Sequence, residues 1–217
     1  LALLVCVLLL SAGLRFREMT RDVRFHSDEA LYTTYARSAA VHGAWMLSGP
    51  LDKPPLSLYA SALALHFFAA EVLPSGVIDV PIRRGEFAAK VPNVLAGLVF
   101  ISMMYALAQT LYSDIAPALR RRTALLAALM AAVSPYTVAY SASAFTDMLM
   151  LMFMTGAVLA GARQHSVWSG TLLALSIASK PQGILFLPLV AGALLMIFPI
   201  YWMLVSTFQP SKYTLHY

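Results

Sequence analysis

Apolar runs separated by short polar links make up most of this chain. Residues 1–14 are almost wholly apolar, and further runs follow at 56–73, 87–112, 123–140, 148–162, 167–179 and 184–205. A hydrocarbon layer of about 30 Å takes roughly 20 apolar residues per helical crossing, so this material suffices for about six crossings, some of them short. The longest polar link, 15–55, carries helical rather than strand periodicity in its middle. Asp28, Tyr32 and Tyr35 stand there at i, i+4 and i+7, with Ser27 expected as N-cap and Gly43 as the stop. Lys53-Pro54-Pro55 is a rigid turn opening the run 56–73, because proline suits a first helical turn and restricts the residue before it. Later links fall at 74–90, 113–122, 141–147, 163–166 and Lys180-Pro181-Gln182-Gly183, and Pro135 predicts a kink. No internal repeat is visible.

The orientation of these elements depends on whether 56–73 crosses the membrane. If it lies in the interface, Arg120, Arg121, Arg122 and Arg163 all fall on the cytoplasmic side, as short basic loops prefer. Asp28, Glu29, Asp52, Asp147 and Lys180 then share the outer face, and a crossing would instead set Asp147 and Lys180 opposite Asp28. The interfacial reading is preferred, with His66 and Glu71 tolerated because the segment is only partly immersed.

Composition agrees with the bilayer as solvent. Of the 217 residues, 60% are hydrophobic and 12% charged, and the mean hydropathy is +0.74, outside the range of ordinary soluble domains. The net charge of +5 comes from arginines clustered between apolar runs, where they act as topology signals and lipid-phosphate contacts. The basic stripe of a nucleic-acid binder is missing, so nucleic acid is not an expected partner. The single Cys6 excludes a disulfide framework and a thiolate metal site. The chain begins with Leu1 rather than Met, and its first apolar run is short. A truncated first helix is therefore expected; a cleaved signal peptide is the other reading, but the small-residue cleavage pattern is missing.

Chemistry concentrates in the outer links. Asp28 and Glu29 are adjacent acids on a short amphipathic helix, and Asp52-Lys53 brings an acid and a cation before a double proline. Any isolated acidic pair is more often a solvated loop charge. Together, though, these residues match what transfer of a sugar from a phosphate requires: a carboxylate to orient or deprotonate the acceptor, and cations or a metal to hold the departing phosphate. His26 beside a helix start reads as a solvated loop histidine rather than a helper in metal binding, Tyr32 and Tyr35 as sugar-stacking or interfacial aromatics, and the methionines of 148–154 as lipid-facing or packing residues rather than metal ligands.

In order and spacing, His26-Ser27-Asp28-Glu29-Ala30-Leu31-Tyr32, Ala36-Arg37, Gly43-Ala44-Trp45 and Asp52-Lys53-Pro54-Pro55-Leu56 resemble the first outer loop of the protein O-mannosyltransferase and aminoarabinose-transferase superfamily. Glu86-Phe87-Ala88-Ala89-Lys90-Val91-Pro92 resembles the start of its next helix, and Ser134-Pro135 through Thr146-Asp147-Met148 its second outer loop. Ser179-Lys180 stands where the family commonly has Thr-Lys-Gly. The resemblance implies a GT-C type glycosyltransferase with a polyprenyl-phosphate sugar as donor. It implies Asp28, supported by Glu29, and Asp147 as the catalytic acids. Asp52, Lys53 and Lys180 would face the phosphate, with Tyr32 on the sugar, and Asp28 with Asp52 would hold a divalent metal ion as cofactor. Leu31 replaces an arginine of the aminoarabinose branch, which speaks against a lipid A acceptor, and Pro181-Gln182 interrupts the Lys-Gly pattern.

The expected fold class is therefore all-α, a polytopic transmembrane helix bundle with juxtamembrane helices in the first outer loop. Residues 1–197 form the glycosyltransferase module, and 198–217 are an atypical, permease-like tail. The expected protein is integral to a bacterial-type inner or plasma membrane, works on its outer face, and takes membrane lipids and a polyprenyl-phosphate-linked sugar as partners. Two rivals remain: a transporter, which would set its charges nearer the bilayer midplane, and a non-catalytic scaffold, which would place no constraint on the spacing of loop acids.

Overall fold

The structure, a computed structural model, describes residues 2–21, 23–45, 55–188 and 190–191. It is all-α apart from one small hairpin. In chain order the elements are α1 (Ala2–Met19), α2 (Ser27–His42), α3 (Leu56–Phe68), β1 (Glu71–Val72), β2 (Ile78–Asp79), α4 (Ile82–Leu111), α5 (Pro117–Val133), α6 (Pro135–Ser141), α7 (Asp147–Ala162), α8 (Ser166–Ser179) and a 3-10 helix (Pro181–Phe186).

Helix α4 is the axis of the assembly. It packs against α1, α3, α5, α6 and α7, while α8 packs on α7 and α2 packs on α3. Among the described residues it is the one helix long and apolar enough to cross a membrane by itself; α5 and α6, bent by 58° at their junction, meet the same test as a pair. Helices α3, α7 and α8 are apolar but shorter.

Small residues let the helices approach closely. Ala36, Ala39 and Ala40 of α2 meet Ala62 and Leu65 of α3 and Ala88 of α4 in one cluster. A second unites Ala96, Phe100 and Ile101 of α4 with Ala128 and Ala132 of α5 and Met148 and Leu149 of α7. Across the α7–α8 contact, Ser169 Oγ donates to the Ala157 carbonyl at 2.8 Å and Ser176 Oγ to the Met150 carbonyl at 3.0 Å. Such small-residue contacts and interhelical hydroxyl bonds hold helices together where burial of apolar surface supplies little drive.

Several boundaries differ from the sequence reading. The residue that caps α2 is His26, not Ser27, which is the first helical residue. The His26 imidazole accepts from the Asp28 N–H, and Glu29 reaches back to the His26 N–H, so the two complete a capping box. Gly43 ends α2 as expected, in the left-handed conformation at φ 66°. Helix α4 begins at Ile82 rather than at 87, because its first turns carry Arg83, Arg84, Glu86 and Lys90 and so read as a polar link. The link also holds the hairpin, in which Glu71 pairs with Asp79 in register and its side chain forms an ion pair with Arg84. The kink expected at Pro135 is a full break, with Pro135 opening α6.

Candidate functional site

The start of α2 is tied to the segment between α6 and α7. Glu29, only 7% exposed, accepts from the His26 N–H through Oε2 at 2.9 Å and from the Ala144 N–H through Oε1 at 2.8 Å. Its two oxygens thus bridge residues 115 positions apart in sequence. The His26 ring lies 5.6 Å from that of Phe145, which is 5.9 Å from Tyr140. From the opposite side, Asn93 of α4 donates through Nδ2 to the Ser143 and Phe145 carbonyls at 2.7 and 2.5 Å. The segment is thus clamped between α2 and α4 just before Asp147.

Asp147 opens α7 and forms an ion pair with Lys180, the residue that ends α8, at 2.5 Å. The two are 33 positions apart and partly buried, with side chains 30% and 19% exposed. Ser57, in the first turn of α3, donates to the Ser179 carbonyl at 3.3 Å, which brings the start of α3 beside this pair. Asp147 also lines a cavity of about 240 Å³ whose other walls include Tyr136, Thr137 and Tyr140 of α6 and Met148, Met150 and Leu151 of α7.

The structure therefore ties Glu29 to Ala144, three residues before Asp147, and pairs Asp147 with Lys180 beside the first turn of α3. Asp28 is on the exposed first turn of α2, next to Glu29 in sequence but pointing to solvent. Tyr32 is buried rather than presented to solvent. Asp52 and Lys53, and the tail 198–217, lie outside the described residues. Of the two acids expected to hold a divalent metal only Asp28 is described, and among the described residues no three His, Cys, Asp or Glu side chains converge as ligands.

A larger cavity, of about 510 Å³, includes none of these residues. It is lined by Ala30, Thr33, Thr34 and Arg37 of α2, by Asp79 and Val80, and by the start of α4. Those α2 positions form the face opposite Asp28, Tyr32 and Tyr35. Volume alone does not make it the centre: the ion pair it holds, Arg37 with Asp79 at 3.3 Å, is about half exposed, whereas Asp147 and Lys180 are partly buried. Asn93, Ser57 and Ser141 did not stand out in the sequence reading. The available signal was a polar residue within an apolar run, most visible for Asn93 directly after Pro92.

The C-terminal end of α4 carries arginines, as its first turns do with Arg83 and Arg84. Arg163, after α7, donates to Thr110 Oγ1 near the end of α4 at 3.2 Å, and Arg120 of α5 donates to the Ser113 carbonyl. Asn93 and Thr110 are 17 positions apart on α4, about 25 Å along its axis. The arginine links thus lie at the C-terminal end of α4, and the segment before Asp147 lies near its middle.

A family model described as dolichyl-phosphate-mannose-protein mannosyltransferase matches residues 81–214, more than half of the chain and a range that includes Asn93, Asp147 and Lys180. No curated protein and no solved structure matches the chain.

Proposed function

Because the chain belongs to the dolichyl-phosphate-mannose-protein mannosyltransferase family, a family of glycosyltransferases, we propose that it is part of a polytopic membrane enzyme of the GT-C type. It moves a sugar from a polyprenyl-phosphate carrier to an acceptor hydroxyl on the non-cytoplasmic face. The observation that carries this reading is the chain of contacts from the α2 start through the 142–146 segment, clamped by Asn93 of α4, to the Asp147–Lys180 pair. The arginine-bearing links at the C-terminal end of α4 support a cytoplasmic assignment for that end, since short basic loops stay inside.

In this reading the acceptor oxygen attacks the anomeric carbon as the bond from that carbon to the carrier phosphate breaks. The bonding pair leaves with the phosphate, and the acceptor proton passes to a carboxylate. Asp28 is the base: it is exposed on the first turn of α2, while its neighbour Glu29 spends both oxygens on backbone N–H groups. Glu29 is then a positioning residue that fixes where Asp28 stands against the second segment. Lys180, oriented by Asp147, faces the departing phosphate together with Lys53, and charge stabilisation in a partly dehydrated site is the larger share of the rate enhancement. Where a divalent metal takes part, Asp28 and Asp52 are the acids to hold it, and it would neutralise phosphate charge.

Asp28→Asn tests the reading in the detergent-purified protein. The substitution keeps shape and most hydrogen bonding but removes the base, so transfer falls by roughly 10² to 10⁴-fold while donor affinity changes much less. Near-normal turnover by a well-folded variant rules Asp28 out as base. A selective collapse of donor affinity reassigns it to phosphate or metal binding.

A further inference from the structure

Arg15 is fully buried near the end of α1, and among the described residues none of its partners is a carboxylate. Nε donates to Ser141 Oγ at 3.1 Å, Nη2 to Thr137 Oγ1 at 3.3 Å, and Nη1 to the Ala132 carbonyl at 3.1 Å and to the hydroxyl of Ser11. A guanidinium held by neutral oxygens does not recover its dehydration cost as a salt bridge would. Its place is explained by geometry.

The proline break supplies that geometry. In a continuous helix the N–H groups of residues 135 and 136 would bond the carbonyls of Ala131 and Ala132. Pro135 has no N–H, and the chain turns by 58° where it opens α6. Both carbonyls nevertheless have donors: Thr137 Oγ1 donates to the Ala131 carbonyl at 2.5 Å, and Arg15 donates to that of Ala132. The two donors are bonded to one another. Ser141 Oγ, which accepts from Arg15, donates in turn to the Thr137 carbonyl at 2.5 Å, extending the network through the last turn of α6. Space for it comes from Gly97 of α4, where any Cβ would run into Ser141 Oγ and stand 2.8 Å from Arg15 Nε.

Helix α6 is also a wall of the site, since Tyr136, Thr137 and Tyr140 line the cavity that Asp147 enters. We propose that Arg15 is a positioning residue for sugar transfer. By capping the carbonyl opened at the Pro135 break and gripping Thr137 and Ser141, it sets the bend that presents α6 to Asp147. Its effect on turnover rests on the glycosyltransferase reading; its effect on the bend does not.

A double-mutant cycle between Arg15→Met and Pro135→Ala tests this in the purified full-length protein, by thermal unfolding, by hydrogen exchange of 136–144, and by steady-state kinetics. Arg15→Met alone is expected to lower the unfolding temperature and speed exchange in that segment. It should also reduce kcat by about 10²-fold, as small misplacements in active sites do, with KM for the donor nearly unchanged. Pro135→Ala restores a backbone donor for the Ala131 carbonyl and lets the helix run on. In that background, Arg15→Met should cost less than half as many degrees, while kcat stays low in every combination because the bend is lost. Equal thermal losses in both backgrounds overturn the proposal, as does a drop in kcat with unfolding and exchange unchanged, which would mark Arg15 as contacting substrate. Should Arg15→Met not fold, Thr137→Val removes the partner hydroxyl and is read against Pro135→Ala in the same way. Absence of glycosyl transfer in the unmutated protein would sink the reading of function and leave the thermal and exchange arms to decide on Arg15.

Discussion

Replacing Glu29 with glutamine separates a positioning role from a chemical one. The carboxylate has two occupied oxygens, one on the His26 N–H at 2.9 Å and one on the Ala144 N–H at 2.8 Å, and the residue is 7% exposed. Glutamine has the same shape but only one acceptor oxygen, so its NH₂ must face one of the two N–H groups. The contact with His26 is local to the capping box, whereas that with Ala144 spans 115 positions and closes the long-range tie, so the Ala144 N–H is the group left without an acceptor. A hydrogen bond to a charged group contributes about 1.5–3 kcal/mol, and an orphaned buried donor costs a similar amount. At about 1.4 kcal/mol per tenfold change in an equilibrium constant, opening of the 142–146 segment becomes about 10- to 150-fold easier. Hydrogen exchange followed by mass spectrometry reads this directly. The amide of Ala144 should exchange faster by that factor, with α7 and α8 unaffected. Exchange within twofold of the unmutated protein would refute the tie. A fall in transfer of about 10²-fold or more with loop protection intact would make Glu29 a chemical participant, the size of effect a positioned acid or base contributes.

Two further outcomes follow from the far side of the site. Lys180→Met leaves the partly buried Asp147 without its cation, so Lys180→Met and Asp147→Asn should be non-additive by about 0.5–3 kcal/mol in a double-mutant cycle on unfolding; strict additivity refutes the pair. Gly183→Ala brings a Cβ to 2.9 Å from both the Ile177 nitrogen and the Ser176 carbonyl carbon, backbone atoms that cannot swing aside. The turn after Lys180 should lift off α8 at a cost of about 1–3 kcal/mol, the usual price of overpacking, visible as a lower unfolding temperature; an unchanged midpoint would show that the turn does not seat there.

What the sequence determined is local. The i, i+4, i+7 spacing of Asp28, Tyr32 and Tyr35 lies on a helix, Gly43 ends it, and Pro135 interrupts another, because periodicity, caps and proline sterics act within a turn or two of the chain. The polar start of α4 misled for the same reason: charges at helical spacing look like a link until neighbouring helices show which face they leave exposed. The all-α class and the family resemblance were likewise present in residue order. Tertiary structure alone decided which acids are free and which are engaged. Glu29 and Asp28 are neighbours of the same charge and helix, yet one is closed around an N–H 115 positions away and the other is open to water. Asp147 received its cation from 33 positions on, and Arg15 its anchor from 126. Contacts at such separations form only when packed helices bring the groups within about 3 Å, and no local pattern in the chain encodes that distance.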